Sequence, residues 1–269
     1  VKKPSVARFQ KAVLLWYAKE GRHALPWRKT RAPYKILVSE VMLQQTQVDR
    51  VIPKYVAFLE AFPNVAALAA ASVAEVLKLW SGLGYNRRAL FLKRAAEAVV
   101  AEHGGKFPKD AESLEKLPGV GSYTARAVAT FAYNAPHAFI ETNIRAVFLH
   151  AFFPEQSNVS DTELMPLIEK AMPKDGRNRE WYSALMDYGS HIKKHFPNPS
   201  RKSKHHQTQS KFAGSLRQAR GAILKACTEK PRVKKSDLLA LHEKSEQALA
   251  GLIADGFVIQ RADYVSIKK

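Results

Sequence analysis

Apolar residues recur at three- and four-residue spacing from Ser5 to about Tyr188, the pattern of helices that each bury one face. The spacing predicts helices over Ser5 to Lys19, Tyr34 to Phe62, Val73 to Trp80, Arg87 to His103 and Tyr123 to Tyr133. Short breaks bearing Pro or Gly separate them: Ala24-Leu-Pro-Trp27, Phe62-Pro-Asn64, Gly82-Leu-Gly84, Gly104-Gly-Lys-Phe-Pro108 and Leu117-Pro-Gly-Val-Gly121. No stretch alternates as a strand would before the C-terminus, so an all-α fold is expected there. The last fifty or so residues follow another pattern. Helices over Leu216 to about Thr228, Ser236 to His242 and Lys244 to Ala254 precede Gly256 and two short strands, Phe257 to Gln260 and Tyr264 to Ile267. Ser236 and the Glu243-Lys-Ser245 stretch offer N-caps for the second and third of these helices. No repeat of fixed period is present.

Composition narrows the class. With 46% hydrophobic and 25% charged residues in 269, the chain can bury a sizeable core, and disorder as its main state is excluded. The lone cysteine, Cys227, excludes a disulfide framework, a CxxC redox pair and any all-cysteine metal or iron–sulfur site. No apolar run approaches the ~20 residues of a membrane-spanning helix. Val1 to Arg8 precede no apolar signal region, so a soluble, intracellular protein without a membrane partner is expected. The formal charge of +19 calls for an acidic polymer as partner, with nucleic acid ahead of anionic membrane. A ribosome-like basic protein satisfies the same charge. Residues 187 to 269 hold 17 Lys and Arg against 7 Asp and Glu, so more than half of the excess lies in less than a third of the chain. Within them, His191 to Arg220 carries eight cations, four His and no acid, and reads as a linker that touches phosphate.

Leu117-Pro-Gly-Val-Gly121-Ser-Tyr-Thr-Ala125 is the most informative local element. Two glycines flanking an apolar residue, directly before a helix, leave backbone N–H groups at a positive helix end open to a phosphate oxygen. A helix over Asp110 to Lys116, this turn and the helix after it form a helix-hairpin-helix pattern with Val120 as its apolar plug; a plain tight turn is the alternative. Leu117, Gly119, Val120 and Gly121 are accordingly candidate DNA contacts.

Around the hairpin stand Leu25-Pro-Trp-Arg28, Pro33-Tyr34, Ser39-Glu-Val-Met-Leu-Gln-Gln-Thr-Gln-Val48, Leu79-Trp-Ser-Gly-Leu-Gly-Tyr85, Gly104-Gly-Lys-Phe-Pro108 and Met186-Asp-Tyr-Gly189. As an ordered set over about residues 12 to 190, they resemble the helix-hairpin-helix (HhH-GPD) DNA glycosylases, and among those the MutY adenine glycosylases most closely. The resemblance implies a two-lobed all-α glycosylase, one lobe holding the helices from Val48 to Arg126 and the other the N-terminal segment and Glu141 to Tyr188. Double-stranded DNA with a mispaired or damaged base would lie across the mouth between them. An enzyme that acts on a base must flip it out of the duplex and fill the gap. Breaking an N-glycosidic bond then needs an acid at the leaving base and a carboxylate near the cationic sugar. The resemblance makes Glu40 that acid. It makes Gln44 the residue wedged at the vacated base, with Gln45, Tyr85 and Arg87 as further DNA contacts, and puts Trp27 and Arg28 beside the base pocket. Tyr123 stands where bifunctional relatives carry a catalytic lysine; it cannot form a Schiff base, so a monofunctional enzyme is implied.

Three departures qualify the resemblance. In Phe139-Ile-Glu141-Thr-Asn-Ile-Arg145, glutamate fills the family's aspartate position, and a helix N-cap is the alternative to catalysis for Glu141. Relatives usually bind a four-iron cluster through four cysteines just after the segment matching Met186 to Gly189. Here that stretch has none, so the cluster is expected to be absent and no cofactor or metal is expected; lysines such as Lys202 and Lys204 would contact DNA instead. His191, His195, His205 and His206 are too irregularly spaced, among cations, to suggest a metal site. Finally, the usual nucleotide-hydrolase-like C-terminal domain is replaced by a unit resembling a winged helix-turn-helix, in which the polar residues of the third helix, Glu243, Lys244, Glu246 and Gln247, are half acidic. The expected domains are a glycosylase domain over 1–190, a basic linker over 191–214 and the winged-helix-like domain over 215–269. A monomer in the cytoplasm, associated with the nucleoid, is expected. A thymine or uracil mismatch glycosylase on the same scaffold, and a non-catalytic binder of damaged DNA, are the alternatives.

Overall fold

The computed structural model describes residues 3–206, 208 and 211–268. Among them the helices are α1 (Val6–Glu20), α2 (Pro33–Leu43), α3 (Val48–Ala61), α4 (Val65–Ala70), α5 (Val73–Trp80), α6 (Arg87–His103) and α7 (Ala111–Glu115). They continue with α8 (Ser122–Tyr133), α9 (Thr142–Phe152), α10 (Asp161–Lys170), α11 (Asn178–His195), α12 (Leu216–Glu229), α13 (Lys235–Leu239) and α14 (Ser245–Ala254). Two 3-10 turns, Pro26–Arg28 and Pro199–Lys202, and three short strands, β1 (Val233–Lys234), β2 (Val258–Arg261) and β3 (Tyr264–Ile267), complete the elements. The helical reading of the sequence holds, and α5 and α6 fall on the residues expected. The chain forms two compact units: Val1–Leu37, Lys109–Glu115 and Gly121–Thr208 in one, Val38–Pro108, Lys116–Val120 and Gln209–Lys269 in the other.

The first unit is built on aromatic packing. Phe9 of α1 meets Phe148 and Phe152 of α9 and Trp181 of α11 edge-on, at centroid distances of 5.2, 5.0 and 5.9 Å. Phe139 stacks on Tyr182 at 3.8 Å. Helix α11 and the start of α9 approach closely. A Cβ on Gly189 would lie 2.3 Å from the carbonyl oxygen of Asn143 and 2.7 Å from its carbonyl carbon. Helix α8, expected among the middle helices through Arg126, groups with this unit.

The second unit packs α4 and α5 on α6, with Trp80 and Phe58 fully buried and meeting edge-on at 6.1 Å. Helix α5 opens with a capping box, in which Ser72 and Glu75 satisfy each other's backbone amides. Its C-terminal part runs α12, β1, α13, α14, β2, β3, with the strands in the order β1-β3-β2, all antiparallel. The hairpin and three helices match the expected pattern. Strand β1 is new, because two residues are too few to alternate. Of the expected caps, the Glu243-Lys-Ser245 stretch supplies Lys244 as the N-cap residue of α14, without a side-chain cap bond, and Ser245 is buried as the first residue of that helix; before α13 the N-cap residue is Lys234, not Ser236. Asp255, at the end of α14, binds both Arg220 of α12 and Arg87 of α6 at 2.6 Å.

Two expectations are corrected here. The helix expected from Tyr34 to Phe62 is two helices, α2 and α3, broken at residues 44–47. The stretch from His191, expected as a basic linker, is in part regular structure. Helix α11 continues to His195, the 3-10 turn Pro199–Lys202 packs on α9, and Val159 and Ser203 pair backbone to backbone. Residues 207, 209 and 210 of that stretch lie outside the described residues.

Gly189→Ala is expected to lower the unfolding free energy by about 3 kcal/mol, because the added methyl meets backbone atoms that have no rotamer to retreat to. Urea unfolding measures it, and an unchanged midpoint would mean that α11 is not seated on α9 this closely.

Candidate active site and DNA-contact residues

The hydrophobic pattern drives α2 into the interior: Val38, Ser39, Val41 and Met42 are all buried, and Glu40 among them is 7% exposed. The helix ends at Leu43 because its last carbonyls are taken by a side chain from elsewhere. Arg88, in the first turn of α6, donates from Nη1 to the carbonyls of Val41 (2.7 Å), Met42 (3.1 Å) and Gln44 (2.6 Å). Its Nη2 donates to the Thr46 hydroxyl (3.2 Å) and to the carbonyls of Leu83 (3.1 Å) and Gly84 (3.0 Å). Helix α2 therefore needs no continuing amides to satisfy its C-terminus. Burial lowers the Arg88 pKa to about 10, so the guanidinium keeps its charge at neutral pH. The two segments it ties together each carry a non-glycine residue in the left-handed region, Gln45 at φ +54° and Tyr85 at φ +48°. Such conformations cost energy and persist where surroundings enforce them. Both are candidate DNA contacts, and Gln44 lies beside Gln45. Arg217 of α12 donates to the Tyr85 hydroxyl at 2.9 Å and lies over its ring at 5.4 Å.

In the hairpin turn the two glycines serve different ends. Gly119 has φ +75°, and a Cβ there would lie 2.4 Å from the Cβ of Phe91, so both conformation and packing require glycine. Gly121 has an ordinary extended conformation as the N-cap residue of α8, which has no side-chain cap, and a Cβ there would meet nothing within 4 Å. The fold does not demand glycine at 121, and the missing side chain leaves the N-terminus of α8 open. Leu117 and Val120 are buried, in keeping with the plug role of Val120.

In the first unit Glu141 is the N-cap of α9. Its Oε1 accepts from the amides of Asn143 (2.8 Å) and Ile144 (2.9 Å), and its Oε2 from the Thr142 hydroxyl (3.1 Å) and the Asn143 side-chain amide (3.2 Å). Four donors fill the carboxylate's usual complement of lone pairs. Lys193, one turn beyond Gly189 on α11, interacts electrostatically with Glu141. Burial holds its pKa below the ordinary lysine range, while Glu141 raises it and Arg22 lowers it. Tyr123, in the first turn of α8, meets Phe139 edge-on at 5.7 Å.

Other expected site residues have structural engagements. Arg28 donates to Asp187 and to the Ser183 carbonyl, both at 3.3 Å, with its side chain only 10% exposed; Trp27 is buried. Asp187 also accepts the Arg22 amide at 2.8 Å and the Arg22 guanidinium at 3.0 and 2.7 Å. Arg87 is engaged by Asp255, and Lys202 donates to the Pro154 carbonyl, whereas Lys204 is exposed. Arg88, Asp187 and Arg217 were not singled out from the sequence. Only the position of Arg88, just after Gly82-Leu-Gly84-Tyr85, hints at its task.

The stretch after Gly189 does not suit a four-iron cluster. The lone cysteine lies buried in α12. The His191 and His195 rings lie 4.2 Å apart, with His195 Nδ1 2.9 Å from the His191 carbonyl oxygen. Among the described residues no group of three or more His, Cys, Asp or Glu could hold a metal.

A family model described as "HhH-GPD superfamily base excision DNA repair protein" matches residues 38–174. An adenine DNA glycosylase of Mycolicibacterium smegmatis is 35% identical over 273 residues, covering 93% of this chain and 92% of that one. The human adenine DNA glycosylase is 36% identical over 70% of this chain and 36% of its own length. The chain spans about half of some other relatives, 52% of a Buchnera aphidicola adenine DNA glycosylase for example. Among solved structures, a thermostable thymine-DNA glycosylase has a TM-score of 0.62 at 29% identity, covering 69% of this chain and 86% of that one. An endonuclease III trapped as a covalent intermediate with DNA has a TM-score of 0.59 at 18% identity, covering 93% and 99%, a likeness of fold. The chain belongs to the HhH-GPD superfamily of base excision DNA repair proteins, and within it to the MutY-like adenine DNA glycosylase family. It is a DNA N-glycosylase, and its substrate is DNA.

Arg88→Gln is expected to cost roughly 3 kcal/mol or more in stability, because several buried carbonyls lose their donor at once. Arg88→Lys restores the charge but not the planar fork, so it is expected to recover part of the stability and little of the excision rate. Urea unfolding and single-turnover excision measure the two effects; full activity in Arg88→Lys would show that the fork does not set the end of α2.

Proposed function

We propose that this chain removes mispaired adenine from duplex DNA by hydrolysing its N-glycosidic bond, without a lyase step. The likeness to an adenine DNA glycosylase over 93% of the chain carries this reading. Glu40, buried in the apolar run of α2, protonates the departing base. Glu141 stands near the sugar as a fixed negative charge. Since its lone pairs are filled by the first turn of α9, it neither attacks the sugar nor takes a proton from water; it stabilises the cationic transition state through space. Tyr123 replaces the amine that a lyase needs. The stretch after Gly189 does its work through lysines, without an iron–sulfur cluster. The enzyme acts as a monomer inside the cell.

Likeness to the thermostable thymine-DNA glycosylase supports a second reading, in which the base removed is thymine or uracil. Duplexes carrying adenine, thymine, uracil or hypoxanthine opposite each partner, incubated and then treated with alkali, separate these readings. Adenine release with breaks only after alkali is expected. Breaks without alkali would overturn the monofunctional assignment, release of pyrimidines alone would favour the second reading, and tight binding without any break would make the chain a binder of damaged DNA.

Glu40→Gln is expected to reduce adenine excision by roughly a hundredfold or more, the size of a lost general acid. Glu141→Gln keeps acceptor oxygen for the α9 cap but removes the charge, so it is expected to slow single-turnover excision while leaving thermal stability close to wild type. An unchanged rate would reduce Glu141 to a cap.

A further inference from the structure

The winged-helix-like arrangement directs attention to α14, yet its surface is a poor match for DNA. The exposed residues of α14 are Glu246, Gln247, Ala250, Ile253 and Ala254, one acid and no cation. The three-stranded sheet beside it is the opposite. Register sets Lys234 of β1 against Tyr264 of β3, and Tyr264 against Arg261 of β2, so the three stand abreast at one end of the sheet. Directly paired residues in an antiparallel sheet project from the same face. All three are exposed, whereas Val233 and Val265 of the next row are buried. Arg232, two residues before Lys234 and therefore on the same side, lies over the Tyr264 ring at 5.4 Å. The turn that joins β2 and β3 passes through Ala262 at φ +48° and keeps Arg261 and Tyr264 level.

From this arrangement we propose that the row Lys234-Tyr264-Arg261, with Arg232 stacked on the tyrosine, is a second DNA-contact surface of the enzyme, binding duplex phosphates without reading sequence. Three cations flank one aromatic ring on a flat strand end. None of the three has a carboxylate partner among the ion pairs of the described residues; Glu229, Asp237 and Asp263 are the acids nearest in sequence, and Glu229 pairs with Lys225. Stacking fixes Arg232 and spares it the ordering cost of a free arginine on binding. The complement is a row of phosphates, and the DNA substrate supplies it. Helix α14 faces away from this role.

The 269-residue chain, titrated at several salt concentrations into a labelled duplex without any mismatch, tests the proposal. The variant Arg232→Ala/Lys234→Ala/Arg261→Ala is expected to bind at least tenfold more weakly at low salt. Its slope of log affinity against log salt should be shallower by about 2 to 3, since each lost phosphate contact removes about 0.9. The variant Arg232→Lys/Arg261→Lys should keep most of the slope. Single-turnover excision at saturating enzyme should be unchanged in both, and the substituted side chains are exposed, so thermal unfolding should match wild type. Glu246→Ala/Gln247→Ala on α14 should leave the slope alone. An unchanged slope in the triple alanine variant, or a larger loss from the α14 variant, would overturn the proposal. The undamaged duplex makes the result independent of which base the enzyme excises.

Discussion

Arg88 is the residue on which the geometry at the end of α2 and in the loop before α6 depends. A helix ordinarily stops where its sequence offers a C-cap, and α2 has none: after Leu43 come Gln, Gln, Thr and Gln, none of which breaks a helix. Instead one guanidinium supplies donors to the carbonyls of Val41 and Met42 at the end of α2, to that of Gln44 just beyond it, and to two in the loop before α6. Only a planar, permanently charged fork meets that many acceptors at once. The consequence is that two short segments, each with a residue in a costly left-handed conformation, are held at fixed positions by one side chain. Strain at Gln45 and Tyr85 is affordable because Arg88 would lose several hydrogen bonds if either segment relaxed.

The helices were legible in the sequence because their signal is local. Apolar spacing defines α5 and α6 to the residue, and it also reveals that the C-terminal residues form something separate in pattern. The break between α2 and α3 was not legible, since the cause is forty residues away in Arg88. The same holds for the grouping of the C-terminal residues with residues 38–108: Asp255, Arg220 and Arg87 make that packing, and nothing in their local sequence announces it. Among site residues, Gly119 and Gly121 could be picked out together, but only coordinates divide their tasks. One is required by the fold, and the other leaves open space. Arg28 illustrates the converse. A motif placed it near the base pocket, and Asp187, which lies more than a hundred residues on, engages it.

Glutamate at 141 is the point where the family's pattern and this chain's geometry meet. A longer side chain would be expected to push the charge outward by about a methylene. Here the carboxylate folds back onto the amides of Asn143 and Ile144, so the helix end, and not the side-chain length, sets where the charge sits. Glutamate at this position is compatible with the role proposed for it, since a through-space stabiliser needs a fixed location and no free lone pair. It also limits what Glu141 can do. A role as nucleophile or base would break hydrogen bonds that begin α9, and α9 carries the Phe148 and Phe152 contacts at the centre of the first unit.

The basic excess that marks the composition is likewise divided by the structure. Arg22 and Arg28 surround Asp187, Arg145 chelates Asp161 through two bonds of 2.7 Å, Arg87 and Arg220 share Asp255, and Arg88 is enclosed by carbonyls. These arginines organise the fold, and their charge is answered or wrapped before any DNA arrives. Lysines and a few arginines on exposed strands and turns, Lys204, Arg232, Lys234 and Arg261 among them, keep theirs open to phosphate. Net charge therefore overstates the positive charge that is left unpaired at the surface. Neutralising an exposed lysine should change the salt dependence of binding and little else, whereas neutralising Arg22 or Arg88 removes the same unit of charge and takes apart the scaffold that presents the reacting groups.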